Sequence, residues 1–178
     1  AMAVTSFCEA IPANSEYAEA YGFRAAANYA LADPTAAVAD YSTAVYMSPD
    51  YELAYFSSCA LFYEIGELAS AMDDFEQTIA LQPNYVQAHD YLGLTHAAMT
   101  DHEAALVSYE TALSLDAEYA PAYMHRGASL LQMKAYDAAI APLSSAIALD
   151  KKYTEAYINL GAAYYHLGTF PAALNNLN

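Results

Sequence analysis

The sequence predicts an all-α fold, a solenoid of antiparallel helix pairs, and three observations carry that prediction. A similar phrase recurs five times at a spacing of 34 residues, opened each time by Tyr17, Tyr51, Tyr85, Tyr119 or Tyr153. Alanine ladders running from Ala20 to Ala156 and from Ala37 to Ala173 keep the same period, as does a bulky ladder of Tyr41, Phe75, Tyr109, Leu143 and Leu177. Within each period the apolar residues fall at helical spacing in two runs parted by a short turn. A fixed period of this size marks stacked units, because a lone helical hairpin cannot bury its apolar stripe and must lean on its neighbours.

Residues 1–17 come first. Ala1 and Met2 read as a cloning remnant, while Phe7, Ala10 and Ile11 lie in register with Tyr41, Ala44 and Val45, so this stretch is expected to be the end of a preceding unit's second helix. Complete units follow at 18–51, 52–85, 86–119 and 120–153, and an incomplete one at 154–178, all in one continuous solenoid domain. First helices are predicted over 18–31, 52–65, 86–99, 120–133 and 154–167. Second helices are predicted over 34–47, 68–81, 102–115 and 136–149, with another beginning at 170.

The turns between paired helices carry Gly66 and Gly168, where glycine can end a helix in a left-handed conformation. In "ADPTAAV", Asp33 suits the N-cap and Pro34 the first helical turn, where a missing N–H costs nothing. Pro49 and Pro83 stop second helices; Ala117 and Lys151 in the same place predict looser turns. Pro142 lies inside a second helix, removing one hydrogen bond, and a bend is expected there. Gly93, Gly127 and Gly161, with Ala25 and Cys59 in register, are small where paired helices should cross closely. Arg24 and Arg126 replace the leucine seen at Leu92 and Leu160; Arg24 is placed to pair with Asp40, whereas Arg126 meets Pro142 in the equivalent position.

Charge narrows the partners. Five basic residues against 21 acidic ones give a net charge of −16, which repels phosphate backbones and anionic membranes and argues against nucleic-acid binding. The imbalance is uneven: residues 1–89 carry 12 acids and Arg24, net −11, and residues 90–178 carry nine acids and four bases, net −5. No apolar run reaches the roughly 18 residues of a membrane helix, so a soluble chain without membrane insertion is expected. Cys8 and Cys59 fit no metal or redox spacing and leave the compartment open, with the cytoplasm preferred.

Tyr157, Leu160, Gly161 and Tyr164, Ala71 with Phe75, and Pro83 together follow the pattern W-x2-L-G-x2-Y, A-x3-F, P with tyrosine in place of tryptophan. His89, Leu92, Gly93 and His96 follow its first part more loosely, while Ala37 with Tyr41, and Ala105 with Tyr109, follow its second. On these residues the chain resembles a tetratricopeptide-repeat protein, as a fragment of a longer array. The resemblance implies a right-handed superhelix whose first helices line a concave groove that receives a peptide or protein segment. By register it turns Tyr29, Phe56, Tyr63, Glu64, Asp90, Leu94, Met124, Leu131, Ile158 and Tyr165 toward that groove. In related proteins Tyr29, Tyr63 and Tyr165 would occupy a packing position. Phe56, Met124 and Ile158 share an outward register, and Asp90 and Glu64 read most simply as solvated charges.

A mostly apolar groove ringed by acids suits a segment with apolar anchors and a few basic residues. One subclass of the family grips a C-terminal carboxylate with lysine, arginine and asparagine; no lysine lies in this groove, so an acidic C-terminal peptide is a poor fit. No nucleophile elbow, phosphate loop or zinc pattern occurs, and His89 and His96, about 10 Å apart along one helix, are too far apart to share a metal. The expectation is therefore a non-catalytic scaffold without cofactor or metal. Two alternatives stand beside it: a module that forms homo-oligomers through uncapped terminal repeats, and a regulatory arm of a larger enzyme. Asp73, Asp74 and Glu76 read as solvated charge on the outer face of a second helix.

Overall fold

A computed structural model describes residues 18–48, 52–169 and 171, and among these residues it contains nine α-helices and no strand. The helices are α1 (Ala18–Ala30), α2 (Pro34–Met47), α3 (Glu52–Glu64), α4 (Leu68–Leu81), α5 (Val86–Ala98), α6 (His102–Leu115), α7 (Ala120–Gln132), α8 (Tyr136–Leu149) and α9 (Thr154–His166). The all-α fold of antiparallel helix pairs is thus the observed one. All four second helices keep the predicted bounds, and the first helices end one residue early. The expected half-unit at 1–17, and the second helix beginning at 170 apart from Phe170's neighbour Pro171, lie outside the described residues.

The chain divides into two compact units, Ala1–Pro83 and Asn84–Asn178. In the first, α1 packs on α2, α3 on α4, and the pairs join through α2 with α3 and α1 with α3. In the second, α5 packs on α6 and α7 on α8, while α9 packs on α8. Here the first helices are also neighbours: α5 touches α7, and α7 touches α9. Each unit therefore has one face built from first helices alone, which is where a ligand groove can form.

The early helix ends have a single cause. Ala32, Gly66, Thr100, Lys134 and Gly168, spaced like the repeat itself, all have positive φ, between 60° and 81°. At each one, the left-handed residue donates three residues back and its successor donates five back, as in Ala32 N to Tyr29 O at 2.9 Å and Asp33 N to Asn28 O at 3.0 Å. This paired closure satisfies the last carbonyls of the first helix and turns the chain into the second. Asp33 and Asp101 then cap the following helices, accepting from Ala36 N and Ala104 N.

The turns expected to be loose at Ala117 and Lys151 are closed by a device other than proline. Asp116 Oδ1 accepts from Glu118 N at 2.9 Å, and Asp150 Oδ1 accepts from Lys152 N at 2.8 Å. An aspartate that bonds its own backbone two residues on fixes a turn without proline. Pro142 sits inside α8, which runs on through it to Leu149.

Packing follows the ladders. In the first unit Ala25, Ala37, Tyr41, Ala44, Ala54 and Leu61 form one buried cluster. In the second, Ala139, Leu143 and Leu160 form another, with Leu130, Leu131 and Tyr164 against it. Close crossings are present at two of the predicted positions, Gly93 and Gly127. A Cβ on Gly93 would lie 2.4 Å from the ring of fully buried Tyr109, and one on Gly127 would lie 2.5 Å from Leu143 Cγ.

Candidate functional site

In the first unit, helices α1 and α3 bring Tyr29, Phe56 and Glu64 to one pocket of about 230 Å³, completed by Tyr41, Ser57, Ala60 and Leu61. Tyr29 is 46% exposed and its hydroxyl donates to the Glu64 carboxylate, a bond that ties the C-terminal ends of successive first helices together. Phe56 is half-buried, its ring edge-on to Phe75 at 6.3 Å. Burial pushes the Tyr41 hydroxyl above its usual range, with a hydrogen bond from Ser57 pulling the other way. Glu64 is exposed, as its reading as a solvated charge implied, yet it has a partner. Tyr63 is half-buried and does not line this pocket.

In the second unit, a pocket of about 340 Å³ opens among α5, α6 and α7, lined by Leu94, Ala97, His102, Tyr109, Met124, Ala128 and Gln132 among others. Leu94 is half-buried in its wall. His102 Nδ1 is buried there with no hydrogen-bond partner among the described residues. This histidine stands first in α6, immediately after a turn, and nothing in its sequence surroundings singles it out. Further along, α9 exposes Ile158 at 53%, in keeping with its outward register, and Tyr165 at 62%, although the family resemblance gives that tyrosine a packing position.

Three residues depart from their expected settings. Asp90 is no solvated charge: it is 1% exposed, with His125 Nδ1 donating to its Oδ1 at 2.9 Å and the Tyr119 hydroxyl at 3.5 Å from Oδ2. The side chain leaves α5 toward α7, where a buried carboxylate is tolerable only because donors meet it. Its negative charge, after burial, also helps push the Tyr119 hydroxyl up. Burial, followed by Glu155, Asp90 and Asp150, lifts Tyr153 to about 12. Met124 does not point outward with Phe56 and Ile158. It is 6% exposed, packs with Ala146 and Ala156, and accepts from Asn159 Nδ2 through its sulfur. Leu131 packs against the cluster of Ala139, Leu143 and Leu160.

Outside this face, Arg24 pairs with Asp40 as expected. Asp74 is half-buried instead of solvated: burial raises its pKa, while a hydrogen bond from Ser58 lowers it. Among the described residues no group of three histidine, cysteine or acidic side chains is placed to hold a metal ion, and no helix is long and apolar enough to cross a membrane.

Two family models match the chain, one for a tetratricopeptide repeat over residues 87–119 and one for a TPR repeat over residues 129–168. No curated protein matches it. Among solved structures it is similar to a tetratricopeptide repeat protein from Parabacteroides merdae, with TM-score 0.85, 16% identity, and 97% of this chain and 69% of that one covered. It is also similar to MamA from Desulfovibrio magneticus, with TM-score 0.80, 16% identity, and coverage of 89% and 90%. A third is YrrB, described as a TPR protein with an unusual peptide-binding site, with TM-score 0.74, 21% identity, and coverage of 96% and 88%.

Proposed function

Because the chain is a tetratricopeptide-repeat protein, we propose that it is a non-catalytic scaffold whose first-helix faces receive a partner segment carrying apolar anchors and basic residues. The observation that carries this reading is the pocket shared by Tyr29, Phe56 and Glu64. Two successive first helices place aromatic wall and carboxylate around one open volume, the arrangement an anchoring side chain needs. Large rings supply contact area at low entropic cost, which is why aromatic residues recur at binding hot spots. The acidic surface favours a basic segment and speeds its approach at low salt. YrrB, which shares the fold, is described as having a peptide-binding site, and this lends the reading support.

Selection of peptides on the intact chain from a random library tests it. Enriched sequences should combine an aromatic or aliphatic anchor with lysine or arginine, and Phe56→Ser with Tyr29→Ser should abolish their binding while circular dichroism retains full helix content. Met124 is unsuitable for this purpose, since its replacement would open the core. Selected peptides that bind the double variant unchanged would remove the reading.

A further inference from the structure

The repeat contains its own control for an arginine at one register position. In the first unit, Arg24 on α1 donates from Nε to Asp40 Oδ2 at 2.8 Å and from Nη2 to Oδ1 at 2.5 Å, a two-pronged pairing with a carboxylate on α2. Asn28 Nδ2 donates to the same carboxylate at 3.0 Å, and the guanidinium lies 5.3 Å from the centre of the Tyr21 ring. Tyr123 and Arg126 on α7 stand in register with Tyr21 and Arg24, so half of this arrangement is duplicated. The other half is not. Pro142 on α8 occupies the register of Asp40, and Leu130 that of Asn28. Arg126 has no hydrogen bond or ion pair among the described residues.

A depression of about 300 Å³ lies where the carboxylate would be, lined by Leu106, Tyr123, Arg126, Leu130, Pro142 and Ser145 among others. It belongs to a different face of α7 from the pocket holding Met124 and Ala128. The surrounding sequence is the less acidic half of the chain, with four of its five bases, so an approaching anion meets less repulsion here than in the first unit. We propose that this depression is a docking site for an acidic side chain of a partner, an aspartate or glutamate next to an aliphatic residue. The carboxylate pairs with Arg126 as Asp40 pairs with Arg24, and the aliphatic neighbour covers Leu106, Leu130 and Pro142. A planar guanidinium prefers this two-pronged recognition. The site is independent of the first-helix pockets, and either can exist without the other.

The chain has two arginines, so its Nε–Hε signals in a nitrogen–proton correlation spectrum are two, and one belongs to a residue already paired. Titration with the blocked dipeptide N-acetyl-leucyl-glutamic acid α-amide should shift the Arg126 signal saturably and leave Arg24 in place. The glutamine analogue should leave both where they are. Pro142→Ala, which removes the proline without supplying an acid, should preserve the response. Pro142→Asp should abolish it by filling the site from within, and should place the free Arg126 signal near its ligand-bound position. A glutamine analogue as effective as the acid, a Pro142→Asp variant that responds like the parent, or silence of Arg126 in both parent and Pro142→Ala would overturn the proposal. N-acetyl-leucine moving Arg126 when the glutamic dipeptide does not would overturn the side-chain source in favour of a chain terminus.

Discussion

At Ala32, Thr100 and Lys134 the backbone takes the same left-handed turn as at Gly66 and Gly168, but with a Cβ in place. That conformation costs a non-glycine residue about 1–2 kcal/mol, so the repeat geometry imposes it where the residue type resists it. Thr100→Gly should stabilise the chain by about 0.5–1 kcal/mol, and Gly66→Ala should destabilise it by about 1 kcal/mol, both read by urea unfolding. A Cβ on Gly66 meets nothing within 4 Å, so that loss isolates backbone strain. Gly93→Ala probes the other use of glycine. Its new methyl would strike the immobile Tyr109 ring, and a loss of about 1–3 kcal/mol is expected from overpacking. Equal losses at Gly66 and Gly93 without any shift in Tyr109 resonances would contradict the distinction. The sequence disclosed two of the five turns through glycine; the other three were legible only as register, because alanine, threonine and lysine carry no turn signal.

Helix pairs differ in how well their second helix is started. Asp33 and Asp101 accept from the third backbone N–H beyond them, whereas Ala135, in the same register, cannot cap α8. Replacing Ala135 with Asp should add about 1 kcal/mol to the stability of the second unit, visible as slower amide exchange in α8. No change in exchange would mean that the first turn of α8 is held by packing alone. The same comparison explains the inter-pair turns. Pro83 announced itself, but Asp116 and Asp150 perform the equivalent closure through side-chain bonds that a search for proline overlooks. Their signal was present as an aspartate two residues before each closing amide. Asp90 and Met124 show the opposite limit. Both fall at outward positions by repeat register, and only the local presence of His125, Tyr119 and Asn159 decides that they are buried.

For the molecule as a whole, tyrosine makes folding sensitive to alkali. Tyr41 in the first unit, and Tyr119 and Tyr153 in the second, have hydroxyls whose pKa is raised in the folded chain, chiefly by burial. A raised folded pKa means that the native state holds these protons more tightly than the unfolded state. Their contribution is therefore complete below the unfolded value near 10, and it is lost as pH rises toward the folded value, about 12 for Tyr153. Urea midpoints should fall steadily as pH climbs above about 10. Tyr153→Phe, which keeps the ring against Met124 and Ala156 and removes the titrating group, should flatten that decline. A midpoint that stays level through this range in the parent chain would contradict the burial of these hydroxyls.

What the sequence determined by itself was everything that repeats: the helix pairs, their bounds to within a residue, and the small residues at the crossings. Periodicity suffices for these because each is enforced again in every unit by the same local geometry. The tertiary structure decided what is particular to one unit: that Asp90 is sequestered by His125, that Met124 is core, that Tyr29 and Glu64 close one pocket, and that Arg126 faces a depression without a carboxylate. Those outcomes depend on side chains brought together from neighbouring helices, where a single substitution at one register position changes the partner of another.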